Sequence, residues 1–198
     1  MRYLNLARKA DKLTYGLIYP AFFGNMVYDL ILAKADVPTF KGIAFYIGLI
    51  LVLYYIVDFI HLYGDLDESV GGHVENRSWA YILGDLFTSC LFFLSFVLLK
   101  YERTGLSFLC LEIVPVLLAI YKDQHALNKY DRSLTRTFAL VAVLLGLVFI
   151  LFISEINRSL YFFCVLIAQF LAYAWYVLIY FRNAMETQLR INNERIQS

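Results

Sequence analysis

Cysteine is scarce in this chain of 198 residues: the three present, Cys90, Cys110 and Cys164, each sit alone in an apolar run. Without C-x-x-C spacing they signal neither a disulfide framework nor a thiolate metal site, and they read as small packing residues. Charge is scarce too, at 17% of residues with a net charge of +1. No dense basic block is present, which excludes nucleic-acid binding as the main role, since that requires a positive face to neutralise phosphates. Nucleophile-elbow, phosphate-loop and dinucleotide fingerprints are missing, as is H-E-x-x-H. There is no strong internal repeat. Pro20 with Asp29 and Pro115 with Asp123 hold only loosely matching places in the first and fourth apolar stretches.

What the chain does have is apolar surface. It is 61% hydrophobic and 18% aromatic, with a mean hydropathy of +0.65, a composition that marks a multi-pass integral membrane protein. Apolar windows of spanning length fall at about 13–33, 42–63, 79–99, 104–121, 137–154 and 160–181, each ended by charge or by Gly and Pro. Six such spans leave no room for a second globular domain, so residues 1–198 are expected to form one all-α bundle of six transmembrane helices, with 182–198 as a polar tail. Arg8, Lys9 and Lys12 before an apolar stretch, and Ala33-Lys34-Ala35 after it, imitate a secretory signal. The stretch is about 20 residues long and carries Asn25 and Asp29, so it is read as a retained first span.

Basic residues set the orientation. With a cytoplasmic N-terminus, the inside segments hold Arg2, Arg8, Lys9, Lys12, Arg77, Lys122, Lys129, Arg132, Arg136, Arg182, Arg190 and Arg195; the outside links hold only Lys34, Lys41, Lys100, Arg103 and Arg158. The positive-inside rule therefore places both termini in the cytoplasm. The two longest links, about 64–78 and 122–136, fall on that side and carry most of the charge. The first is acidic and Gly-rich, hence flexible; Tyr121 to Arg136 has neither Gly nor Pro and is suited to extend a helix. Its mixed charge also makes it the natural docking surface for a cytoplasmic protein.

Four carboxylates fall inside apolar windows: Asp29, Asp58, Asp85 and Glu112. At a rise of about 1.5 Å per residue the three aspartates lie some 6–9 Å from their nearer span ends and Glu112 about 13 Å. An acid at the centre of a membrane helix costs roughly 2.5–3.5 kcal/mol, so all four should face the bundle interior. At least two of Asp58, Asp85 and Glu112 are expected to share one interior cavity. Pro115 leaves the carbonyl of Leu111 without its helical donor, so a kink is expected beside Glu112, and a protonated Glu112 could donate to a freed acceptor. On the second span Tyr54, Asp58, His61 and Asp65 share a face; on the third, Tyr81, Asp85 and Ser89 do. On the sixth, Gln169, Tyr173, Tyr176 and Tyr180 form a polar-edged stripe, suited to a narrow wet pathway or an interhelical ladder. The fifth span, Phe138 to Ile153, has no ionisable side chain and should face lipid or a second copy.

These features point first to a channel or transporter for a small cation or proton. Its pathway would be lined by Asp29, Asp58, Asp85, Glu112, Gln169, Tyr173 and Tyr176, and the little internal volume of six short-linked helices in the bilayer makes a small homo-oligomer plausible. A non-catalytic membrane subunit or effector is the alternative. A third reading is a metal-dependent enzyme acting on a lipid at the cytoplasmic face. It rests on the three histidines, His61, His73 and His125, all predicted on that side, with His61, His125, Asp58 and Asp85 as ligands. No cofactor is predicted for transport; a divalent metal belongs to the enzymatic reading alone. The balance favours a protein that is not an enzyme.

Overall fold

The computed structural model describes the backbone of residues 13–34, 42–66, 79–123, 129–154 and 157–197, and the side chains of 13–32, 42–61, 82–120, 133–154, 157–179, 181 and 182. These residues form six α-helices: α1 (Tyr19–Lys34), α2 (Ile43–Leu66), α3 (Trp79–Lys100), α4 (Thr104–Asp123), α5 (Lys129–Phe152) and α6 (Arg158–Gln197). Four of them, α2, α3, α5 and α6, contain segments long and apolar enough to cross a membrane; α4 is apolar over a shorter stretch, Thr104–Ile120. This is compatible with a multi-pass integral membrane protein. The tail beyond Arg182 continues α6 as helix to Gln197.

A π-helical turn, Thr14–Ile18, leads into α1, with the Tyr19 amide donating to the Thr14 carbonyl. Pro20 explains the widened turn: it has no N–H for the carbonyl of Gly16, four residues back, and its ring presses on that carbonyl in an α-helix. Shifting the ladder by one residue relieves both problems and brings Tyr15 and Tyr19 nearly into register, their rings stacked with centroids 5.5 Å apart. Pro115 has no such effect, and α4 runs through it as α-helix.

Two left-handed residues stand next to helix ends. Gly42 (φ 59°) precedes α2, a conformation that costs glycine little. Between α3 and α4 the same role falls to Glu102, at φ 60°. The Arg103 amide donates to Leu98 O (2.8 Å) and the Glu102 amide to Leu99 O (3.0 Å), the double bond of a Schellman cap, while Arg103 O accepts from the Ser107 amide at 2.9 Å to start α4. Helices joined by so short a link pack antiparallel along their length. Ser95 and Ser107 tie them together: each hydroxyl donates to the other residue's carbonyl, at 2.8 and 2.6 Å. Small side chains let the backbones approach, and the exchange satisfies every group involved.

The bundle has α4 between α3 and α5, α6 along α2, and α1 against α2 and α3. Its burial is inverted relative to a water-soluble bundle. Asp58, His61, Asp85, Thr88, Ser89, Ser95 and Ser107 are buried, whereas Leu140, Leu144, Leu147, Ile150, Leu151 and Phe152 of α5 are exposed. Only 17% of the apolar segment of α5 is buried, against 50% for α3. Apolar residues outside and polar ones paired inside is the arrangement lipid demands, because hydrocarbon offers polar groups no partners. The expected outward face of the fifth helix is thus present.

Candidate functional site

The polar interior centres on Asp58, which is 1% exposed and lies near the end of α2. One turn later on the same face comes His61, and α6 runs alongside. Tyr173 of α6 donates its phenol hydrogen to Asp58 Oδ1 at 2.8 Å and stands 3.1 Å from His61 Nδ1. A phenol has a single hydrogen. Since Tyr173 gives it to the carboxylate, His61 Nδ1 must carry the hydrogen of the second bond and donate it to the phenol oxygen. The ring of Tyr176, one turn below Tyr173, meets His61 edge-on at 5.5 Å and helps fix its plane.

The other oxygen of Asp58 reaches α1. Tyr19 donates to Asp58 Oδ2 at 3.1 Å, and its hydroxyl also lies 3.4 Å from the backbone carbonyl of Asp85 on α3. Asp85 accepts at Oδ2 from Tyr15. Tyr55 then secures α1 from behind: it donates to the Tyr19 carbonyl at 3.3 Å and therefore accepts from the Ser89 hydroxyl, 2.7 Å away. The result is a buried run of groups, His61 to Tyr173 to Asp58 to Tyr19, ending beside Asp85 and Tyr15. It joins α1, α2, α3 and α6 at one end of the bundle. Tyr54 packs its ring on Tyr173 at 5.2 Å and walls the run on its inner side.

A second polar pair lies nearer mid-bundle. Gln169 Nε2 donates to Glu112 Oε1 at 2.7 Å, linking α6 to α4. Gly146 of α5 faces it: a Cβ there would stand in ordinary contact, 4.0 Å from Glu112 Cγ. In this bond Glu112 is the acceptor, through Oε1. Below the pair, Pro115, Leu118, Leu134, Phe138, Ala172 and Tyr173 line an apolar cleft of about 90 Å³ between α4, α5 and α6.

The structure thus gathers Asp58, Asp85 and Tyr173 into one network, adds Tyr176 at its edge, and sets Glu112 with Gln169 in a separate pair. Asp58 and Asp85 meet through Tyr19 rather than across an open space, and neither they nor Glu112 line the cleft described above. Asp29 stands apart: it accepts from Lys100 Nζ at 2.7 Å, tying α1 to α3 at the opposite end. Of the metal candidates, His61 is separated from Asp58 by Tyr173, and among the described residues no group of three metal-ligating side chains converges. His73 and His125, and the side chains of Asp65, Tyr81, Asp123 and Tyr180, lie outside the described residues.

Sequence reading undervalues four contributors. Tyr15 and Tyr19 both precede Pro20, and their spacing of four hints at a shared face, but the π turn that aims them inward has no hydropathy signature. Tyr55 falls in a continuously apolar run where every face looks alike, and Ser89 shows its shared face with Asp85 but not its bond to Tyr55. Compared with models of known families, with curated proteins and with solved structures, the chain matches none.

Proposed function

We propose that the protein is a six-span membrane protein, with both termini cytoplasmic, that moves protons through its bundle. The observation that carries this reading is the buried run His61, Tyr173, Asp58, Tyr19, in which each hydroxyl both receives and passes on a hydrogen bond or lies beside a second acceptor. As His61 Nδ1 gives its hydrogen to the Tyr173 oxygen and Tyr173 gives its own to Asp58, the protonated carboxyl displaces the hydrogen bond from Tyr19 and donates to the Tyr19 oxygen in turn, so the charge moves with little motion of heavy atoms. A metal cation has a poorer path here, because Tyr173 and Tyr19 occupy both oxygens of Asp58. The cost of burying Asp58, Asp85 and Glu112 in apolar helices is the physical reason for expecting use rather than decoration. The positive-inside rule puts the Asp58 end of the bundle at the cytoplasmic face.

The test is purified protein in liposomes loaded with a pH-sensitive dye, driven by a potassium diffusion potential. Voltage-driven proton uptake that is indifferent to sodium supports the reading, whereas the absence of proton flux in either direction removes it. The second reading, a membrane subunit without a pathway, draws on the completeness of the same network, which clamps four helices together. It predicts no flux, and loss of the fold when Asp58 is replaced.

A further inference from the structure

Glu112 and Gln169 are left incomplete in complementary ways. They are 6% and 5% exposed and share one bond, from Gln169 Nε2 to Glu112 Oε1. The atoms left over, Glu112 Oε2 and Gln169 Oε1, have no hydrogen-bond partner among the described residues. With an ionised carboxyl both are acceptors, and a buried charge would be met by a single amide hydrogen. One proton changes that count. A carboxylic acid and a primary amide form a closed ring of two hydrogen bonds, amide N–H to acid carbonyl and acid O–H to amide carbonyl. One of those bonds is present here, and the two unsatisfied atoms are the pair the other would join.

We infer that Glu112 holds a proton in the resting protein and forms a cyclic acid–amide pair with Gln169, making this pair a proton-binding site inside the bundle. The surroundings supply no competing cation among the described residues. On α3, Lys100 is engaged with Asp29, Asp85 accepts from Tyr15, and Cys90 is exposed. α5 offers Gly146 opposite Glu112, and its Arg136 lies roughly 15 Å along the helix from there. On α6, Arg158 sits over the ring of Phe149, about 16 Å along the helix from Gln169. Among the described residues, Tyr54 of α2 and Tyr161 of α6 are the ionisable groups within electrostatic reach; Tyr161 donates its hydroxyl hydrogen to the Leu145 carbonyl at 3.0 Å. The proton is retained while the ring is closed, and parting α4 from α6 releases it. Tyr173 follows Gln169 by one turn of α6, so such a movement also displaces the run at Asp58. The inference goes beyond the conduction reading and holds whether or not protons cross the bundle.

Infrared spectra of the protein in lipid at neutral pH decide it. A protonated-carboxyl carbonyl band is expected that disappears in Glu112→Gln and shifts to higher frequency in Gln169→Met, where the carboxyl loses its partner. Glu112→Gln should keep the wild-type melting temperature, because a second amide closes the same ring; Gln169→Met should lower it. A protonated-carboxyl region unchanged by Glu112→Gln would show that Glu112 is ionised and overturn the inference. A Glu112 band indifferent to Gln169→Met would overturn the pairing. Spectra of Glu112→Gln alone decide the protonation state if Gln169→Met does not fold, and liposome flux plays no part in either outcome.

Discussion

Tyr173 gives its phenol hydrogen to Asp58 across 2.8 Å, and that one bond joins α6 to α2 and fixes what their neighbour can do. With the phenol hydrogen committed, His61 must donate from Nδ1 to the phenol oxygen 3.1 Å away. Nitrogen NMR of imidazole-labelled protein should therefore show a protonated Nδ1 on His61, and Tyr173→Phe should shift that resonance. An unprotonated Nδ1 in the wild-type protein would reverse the direction of the whole run.

Replacing Asp58 is expected to separate stability from proton movement. Asp58→Asn keeps a carbonyl oxygen for one phenol but turns an NH₂ toward the other, where two donors then meet. The mismatch should cost about 1–3 kcal/mol in thermal or denaturant unfolding while leaving the helical circular dichroism unchanged. Proton flux should fall roughly a hundredfold, the scale of removing a positioned acid–base group.

Much of this was legible in the sequence, and the limits have physical causes. The helix positions followed from hydropathy, because lipid-facing and core-facing helices both need long apolar runs. Asp58 with His61, and Gln169 with Tyr173, showed as shared faces because their spacing repeats with the helical turn. Which faces meet was hidden. Within an apolar helix, period no longer separates inside from outside, so the pairing of Glu112 with Gln169 and the engagement of Asp29 with Lys100 emerge only in three dimensions. Tyr19 was hidden for another reason: its aim depends on the π turn imposed by Pro20, a backbone effect invisible to patterns of side-chain polarity.

The Ser95 and Ser107 exchange should set the distance between α3 and α4. Ser107→Leu forces extra volume into a site that is 0% exposed and is expected to destabilise the protein by about 1–3 kcal/mol. Ser95→Ala combined with Ser107→Ala should cost close to the sum of the two single changes, since each hydroxyl donates to a backbone carbonyl that the other substitution leaves in place. A double-mutant cycle in thermal unfolding measures the difference.

Glu102 holds a left-handed conformation that disfavours a side chain. Glu102→Gly should relieve that strain without disturbing the cap bonds of Arg103 and Glu102. A gain of about 0.5–1 kcal/mol is expected, the relief being partly offset by the greater freedom of glycine in the unfolded chain. A loss of stability on chemical denaturation would mean that the Glu102 side chain contributes a compensating interaction.

The central claim is that protons travel through the phenol of Tyr173, and Tyr173→Phe removes one oxygen from the run while leaving the ring that packs on Tyr54. The decisive measurement is voltage-driven proton uptake into dye-loaded liposomes, comparing wild type with this variant at matched protein incorporation. The account predicts ready uptake by the wild type and a fall of roughly a hundredfold in Tyr173→Phe. Uptake by the variant at the wild-type rate would contradict it.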